Sequence, residues 1–167
     1  ALLVQAEGEL LAESKRFDEA MSVYDQALQA GFNSDVMYAR AMLAEKMDRL
    51  DILERDLREI LDKDPDNAQA LNALGYTLAD RTDRFDEAHN FIRRALAISP
   101  SDFYILDSMG WVLYRMGRLE EAEEFLRKAL VLRQDAEIAA HLGEVLWAKG
   151  DRRGANEIWN TALQETP

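Results

Sequence analysis

One apolar pattern returns about every 34 residues along this 167-residue chain, and nothing else in the sequence limits its fold so tightly. Its fullest copy contains GWVLYRMGRLEEAEEFLRKAL, Gly110 to Leu130. The pattern runs small-x2-Leu-Gly/Ala-x2-Leu, a polar turn, then Phe/Leu-x2-Ala-x3-aromatic/Leu-x2-Ala-Leu. Steps of three and four within each half put the apolar positions on one face of a helix, so each copy reads as a helix, a turn and a second helix. The first copy, about 1–33, carries Gly8, Leu11, Phe17, Ala20, Tyr24 and Ala27. The second, about 34–67, is degenerate and closes near Pro65. The third, about 68–102, carries Leu71, Leu74, Gly75, Leu78, Phe85, Ala88, Ile92 and Ala95, with one extra residue in its ADRTDR turn. The fourth, about 103–135, carries Leu106, Met109, Gly110, Leu113, Leu119, Ala122, Leu126 and Ala129. The fifth, about 136–167, carries Ala139, Leu142, Gly143, Leu146, Ala155, Trp159 and Ala162 and stops at Pro167.

The chemistry of this pattern is packing. Small residues at Gly8, Gly75, Gly110 and Gly143, faced by Ala20, Ala88, Ala122 and Ala155, let paired helices approach closely while larger residues fill the space to the next pair. Composition agrees with an all-α chain: Ala, Leu, Glu and Arg dominate, Pro occurs three times and β-branched runs are missing. A net charge of −12 repels a phosphate backbone, which argues against nucleic-acid binding. Zero cysteines exclude disulfides and thiol chemistry and leave the compartment open. No apolar run approaches the roughly 20 residues of a membrane-spanning helix. The N-terminus, ALLVQAEGEL, starts inside a helical pattern and is no signal peptide, which marks a fragment or trimmed chain.

With five copies in register over 1–167, the chain is identified as a member of the tetratricopeptide-repeat (TPR) family. That resemblance implies a single domain, a right-handed superhelix of about five stacked repeats whose inner helices line a concave face, and a role in binding proteins or peptides. Within the family, ALNALGYTLADRTDRFDEA, ILDSMGWVLYRMGRLEEA and DAEIAAHLGEVLWAKGD resemble the C-terminal repeats of proteobacterial periplasmic TPR lipoproteins that act as adaptors for a carboxyl-terminal processing protease. This implies a periplasmic, outer-membrane-associated parent protein, with its lipid anchor upstream of this segment. The Lys/Asn/Arg set with which chaperone-binding TPR domains hold a terminal carboxylate is missing, Asn72 alone not making one.

The inner helix of the fourth repeat has a second stripe, Tyr104, Asp107, Trp111 and Tyr114, between the residues that pack the scaffold. Its counterparts are Tyr76 and Asp80 in the third repeat, with Gln69 and Asn72, and Glu144 and Trp147 in the fifth, with Glu137 and Ala140. Aromatic side chains give large contact area at small entropic cost, so Tyr76, Asp80, Tyr104, Asp107, Trp111, Tyr114, Glu144 and Trp147 form the expected partner-binding strip. The competing reading is that Trp111 and Tyr114 fill seams between adjacent inner helices. Early-helix acids such as Glu120, Glu121, Glu123 and Glu124 suit the positive end of a helix dipole and read as solvated outer surface. Glu7 and Arg40 stand at one step of consecutive repeats where later ones have Leu74, Met109 and Leu142; they read as two partly exposed residues, with an ion pair across repeats as the sharper alternative.

Enzyme chemistry finds no support: His89 and His141 lie two repeats apart with no nucleophile at a recognisable spacing, so no catalytic residue is assigned. His141 and Glu144, three apart, are too few for a metal site, and no cofactor is expected. The expected partner is a protein or peptide docking in the concave groove, with a structural or homo-oligomerisation module as the alternative. Ile158, Trp159 and Leu163 should form a C-terminal end face open to self-association.

Overall fold

The computed structural model describes residues 1–165, so Pro167, the stop of the fifth repeat, lies outside the described residues. Ten α-helices and no strand occur among the described residues: α1 (Leu2–Glu13), α2 (Phe17–Ala30), α3 (Ser34–Lys46), α4 (Leu50–Lys63), α5 (Ala68–Arg81), α6 (Phe85–Ile98), α7 (Phe103–Arg115), α8 (Leu119–Leu132), α9 (Ala136–Ala148) and α10 (Arg152–Glu165). The chain divides into two compact units, Ala1–Ala70 and Leu71–Pro167.

Helix starts alternate between two devices from α2 to α9, and α10 begins with an Asp151 cap that accepts from the Gly154 amide at 2.9 Å. The odd-numbered helices after α1 begin with a polar cap. Asn33 accepts from the Val36 amide at 3.0 Å and Asn67 from the Ala70 amide at 3.0 Å. Asp102 and Asp135 accept from Tyr104 and Glu137 at 2.9 Å each. Each satisfies a backbone donor that the first helical turn leaves open. The even helices α2, α4, α6 and α8 start instead after Arg16, Arg49, Arg84 and Arg118, none of which caps with its side chain. Each guanidinium reaches a first-turn acid with two nitrogens: Arg16 to Glu19, Arg49 to Asp51, Arg84 to Glu87 and Arg118 to Glu121. The hairpin turn needs a left-handed residue in four of the pairs: Gly117 (φ 80°) and Gly150 (φ 91°), but Lys15 (φ 60°) and Asp48 (φ 58°) in the first unit.

In the first unit α1 packs on α2, α2 on α3, α3 on α4 and α1 on α3. Its core includes Ala20, Tyr24, Val36 and Leu43, with Leu53, Leu57 and Ile60 of α4 also buried. Arg40 does not turn to Glu7. Its guanidinium binds Asp56 through Nε at 2.7 Å and Nη2 at 2.9 Å and Asp25 at 3.0 Å, and Arg55 adds a contact to Asp56 at 3.2 Å. Asp56 is fully buried, a position at which an unpaired carboxylate would be strongly penalised. Glu7 is exposed, as the plainer reading has it, and the alternative of a Glu7 pair gives way to a pairing between α3 and its two outer neighbours, α2 and α4.

In the second unit α6 packs on α7, α7 on α8, α8 on α9 and α9 on α10, and α7 also meets α9. Leu71, Leu74, Ile92, Ile105, Leu113, Leu126, Ile138 and Leu142 are fully buried. The small-residue crossings have a sharper form than alanine facing glycine. The side chain four residues after each alanine seats over the glycine: Tyr24 on Gly8, Ile92 on Gly75, Leu126 on Gly110 and Trp159 on Gly143. A methyl group placed on Gly75 would meet Ile92 Cγ1 at 2.6 Å, inside any tolerable carbon contact. Trp159 also donates its indole N–H to the Ala140 carbonyl at 3.3 Å.

Candidate functional site

The candidate strip lies wholly within the second unit, on α5, α7 and α9. Tyr104 (58% exposed) and Trp147 (42% exposed) carry the open aromatic surface. Asp80 and Glu144 are exposed, while Tyr76, Trp111 and Tyr114 are half-buried. Asp107 departs from the expectation of an open groove acid. It is buried, because the imidazole of the following inner helix covers it: His141 Nδ1 lies 2.8 Å from Asp107 Oδ1.

Around this pair the strip closes into a network. Trp111 stacks on His141 with ring centroids 4.2 Å apart and on Tyr114 at 4.8 Å, and donates its indole N–H to Asp80 Oδ1 at 3.1 Å. The Tyr76 hydroxyl stands 3.4 Å from His141 Nε2 and 3.5 Å from Glu137 Oε1. Seam filling and groove lining are thus divided among the aromatics. Trp111 and Tyr114 fill the seam and keep an edge open, whereas Tyr104 and Trp147 stand outside that network. Trp147 meets Arg152 instead, whose guanidinium lies 4.8 Å above its ring, and Trp159 at 5.9 Å.

Electrostatics follow from the burial. Desolvation works to lower the His141 pKa, but the Asp107 hydrogen bond and the charges of Asp107, Glu137 and Asp80 together outweigh it and raise it. The Tyr76 hydroxyl is pushed well above its ordinary value, first by burial and then by Asp80, Glu137 and Asp107. Arg115 turns from the strip to donate to the Ala79 carbonyl at 3.1 Å and to lie over the Phe85 ring.

His141 and Glu137 are the members that the sequence placed elsewhere or left secondary. Their signal was the step between neighbouring inner helices, since Asp107 and His141 meet only once α7 and α9 are side by side. His141 faces Asp107 and not Glu144, and no group of three or more possible metal ligands occurs among the described residues. On the outer surface Glu123 is not free: it binds Arg127 at 2.8 Å and Lys149 at 2.7 Å. At α10, Leu163 is 69% exposed and Ile158 and Trp159 are half-buried.

Stacked helix pairs with glycine crossings and a side-chain-rich inner face define a helical-repeat scaffold. Tetratricopeptide-repeat profiles match residues 38–103 and 82–144, and the chain belongs to the tetratricopeptide-repeat family. It is 48% identical over 143 residues to the TPR repeat-containing protein PA4667 of Pseudomonas aeruginosa, covering 83% of this chain and 24% of that protein. It is 36% identical over 88 residues to human tetratricopeptide repeat protein 7B, covering 52% of this chain and 10% of that one. The chain therefore spans a quarter or less of these relatives. Among solved structures it is similar to the thermophilic TPR protein TTC0263 of Thermus thermophilus (TM-score 0.85, 20% identity, 99% of this chain and 91% of that one). It is also similar to PilF of Pseudomonas aeruginosa (TM-score 0.80, 19% identity, 96% and 75%). At such identities these two likenesses show the fold alone.

Proposed function

We propose that this chain is an adaptor or scaffold segment that docks a helix or extended stretch of another protein on the inner face of its second unit. Proteins of this family generally mediate protein–protein interaction. The observation that carries the site is the exposure of Tyr104 and Trp147 on inner helices whose scaffold positions are already filled. Large aromatics left open after packing is complete contribute little to folding and suit an apolar partner surface. The strip runs from Tyr76 and Asp80 through Tyr104, Trp111 and Tyr114 to Glu144 and Trp147. Asp107 belongs to its foundation, holding His141, and not to its surface.

The finer reading is a periplasmic, outer-membrane-associated adaptor for a processing protease, supported by the likeness of the motifs in 68–167 to that lipoprotein group. A second reading, self-association, is favoured by the exposure of Leu163 beside Ile158 and Trp159. The test changes Tyr104 and Trp147 to Ala, verifies helicity by circular dichroism, and compares capture of a native partner with that by an outer-surface variant, Glu120 and Glu124 to Ala. The aromatic variant should lose about tenfold or more in affinity and the outer variant little. The reverse order would move recognition to the outer surface. Mass that rises with concentration in the absence of any partner would favour self-association.

A further inference from the structure

We propose that the inner face of the second unit selects a cationic partner segment, one presenting Lys or Arg beside apolar side chains; this rests on the docking reading above. Two inner helices contribute exposed carboxylates to the strip, Asp80 from α5 and Glu137 and Glu144 from α9, and a third, α7, sets buried Asp107 beneath them. The internal demand on these groups is small. Asp80 gives one oxygen to the Trp111 indole, Glu137 stands at the long limit of a hydrogen bond from Tyr76, and Glu144 lies exposed on α9. Asp107 is the carboxylate whose charge is met from within, by His141.

Two cations beside this face are engaged away from its carboxylates, and a third, Arg152, lies on the Trp147 ring. Arg115 is held by the Ala79 carbonyl and the Phe85 ring, and Lys149 by Glu120 and Glu123 on α8. What remains is an aromatic surface edged by carboxylates, complementary to a side chain with an apolar stem and a positive head. Trp147 already shows the geometry such a head would find: the guanidinium of Arg152 lies over its ring at 4.8 Å. An acidic segment would meet like charge along the whole strip, and a purely apolar one would bury Asp80 and Glu137 without compensation.

The test uses three fluorescent synthetic peptides with one leucine framework and Arg, Ser or Glu at the intervening positions, titrated by anisotropy at low and high salt. Two variants remove equal charge: Asp80→Asn with Glu137→Gln and Glu144→Gln on the inner face, and Asp86→Asn with Glu124→Gln and Glu165→Gln on the outer helices. Asn at 80 keeps an acceptor for Trp111, so the fold is left undisturbed, and circular dichroism checks this. The Arg peptide should bind tightest, lose about tenfold in affinity to the inner variant and less than about twofold to the outer one, and weaken with salt. Equal losses in both variants would reduce the effect to net charge and overturn the proposal, as would Ser or Glu peptides binding as tightly, or no binding of the Arg peptide. The variant Tyr104→Ala with Trp147→Ala separates the two levels. If it abolishes Ser-peptide binding while the inner carboxylate variant binds the Arg peptide like wild type, the docking face stands and its cation selectivity falls. If it leaves binding of every peptide unchanged, both fall.

Discussion

Each unit buries one polar cluster, and the two clusters are built from different chemistry. In the first unit the cluster joins an inner helix to outer ones, Arg40 to Asp56 and Asp25. In the second it joins inner helix to inner helix, His141 to Asp107, beneath the aromatic strip. Guanidinium charge is permanent at any pH at which a protein folds, so the cation of the first cluster does not switch. Imidazole charge is not, and it lies directly under the face to which docking is assigned. A buried polar pair thus serves as a fixed peg in one place and as an adjustable support in the other.

The comparison can be broken most directly at Arg40. Arg40→Met leaves Asp56 buried with only the solvent-exposed Arg55 as partner and should cost about 3 kcal/mol in urea unfolding followed by circular dichroism. Adding Asp56→Leu should recover most of that loss. All three tryptophans, Trp111, Trp147 and Trp159, belong to the second unit, so their fluorescence reports on it separately. An equally large shift in the tryptophan transition would break the separation.

The helix crossings come next. Ala122→Leu should cost about 1–3 kcal/mol by tryptophan fluorescence, since Ala122 is fully buried where α8 crosses α7. Exposed Glu124→Leu should stay within about 0.5 kcal/mol. The first unit has Leu53 at the corresponding step of α4, so Leu53→Ala should destabilise by leaving a cavity.

A smaller effect distinguishes the clusters by pH. The folded pKa of His141 is raised, so its contribution to stability is fully present below the unfolded imidazole range and is lost as pH rises through the folded value. Tryptophan-detected stability should decline over that window, and Asp107→Asn should flatten the decline. Persistence of the full slope in Asp107→Asn would assign it to another group. Smallest are the hairpin turns. Gly117→Ala should cost about 1 kcal/mol, and Lys15→Gly should be neutral or stabilise by a few tenths, because both positions hold positive φ.

Helix pairing was legible in the sequence because it depends on short-range periodicity: Gly75, Gly110 and Gly143 announce their crossings with no knowledge of the rest of the chain. What each crossing seats was only half legible. Tyr24, Ile92, Leu126 and Trp159 are all in the repeating pattern, but which of them meets the glycine is decided by the rotation of one helix on another. Asp107 was misjudged for a physical reason. It was placed by its own helix, whereas its surroundings are set by His141 on the next inner helix; in the same way Asp25 and Asp56, on the outer helices beside α3, take the guanidinium for which Glu7 was the alternative partner. Periodicity reports which way a residue points and is silent on what comes to meet it.

The alternating helix starts, an Asn or Asp cap and then an Arg bound to a first-turn acid, make the three hairpins α3–α4, α5–α6 and α7–α8 each carry their own punctuation. Insertions and deletions should therefore be tolerated in two sizes. A whole hairpin can be gained or lost because its start signals travel with it. A single residue is absorbed at the hairpin end, as in the third repeat, where α5 runs one residue longer than α7 while three residues still separate it from α6, the Thr82 hydroxyl accepts from the Arg84 amide at 3.1 Å and Arg84 still reaches Glu87. One residue added inside α7 would rotate every later side chain of that helix by about 100° and carry Trp111 away from His141. Descendants of such a chain are accordingly free to vary in repeat number and at the helix ends that face the hairpin turns, and are held to fixed spacing through the helix interiors.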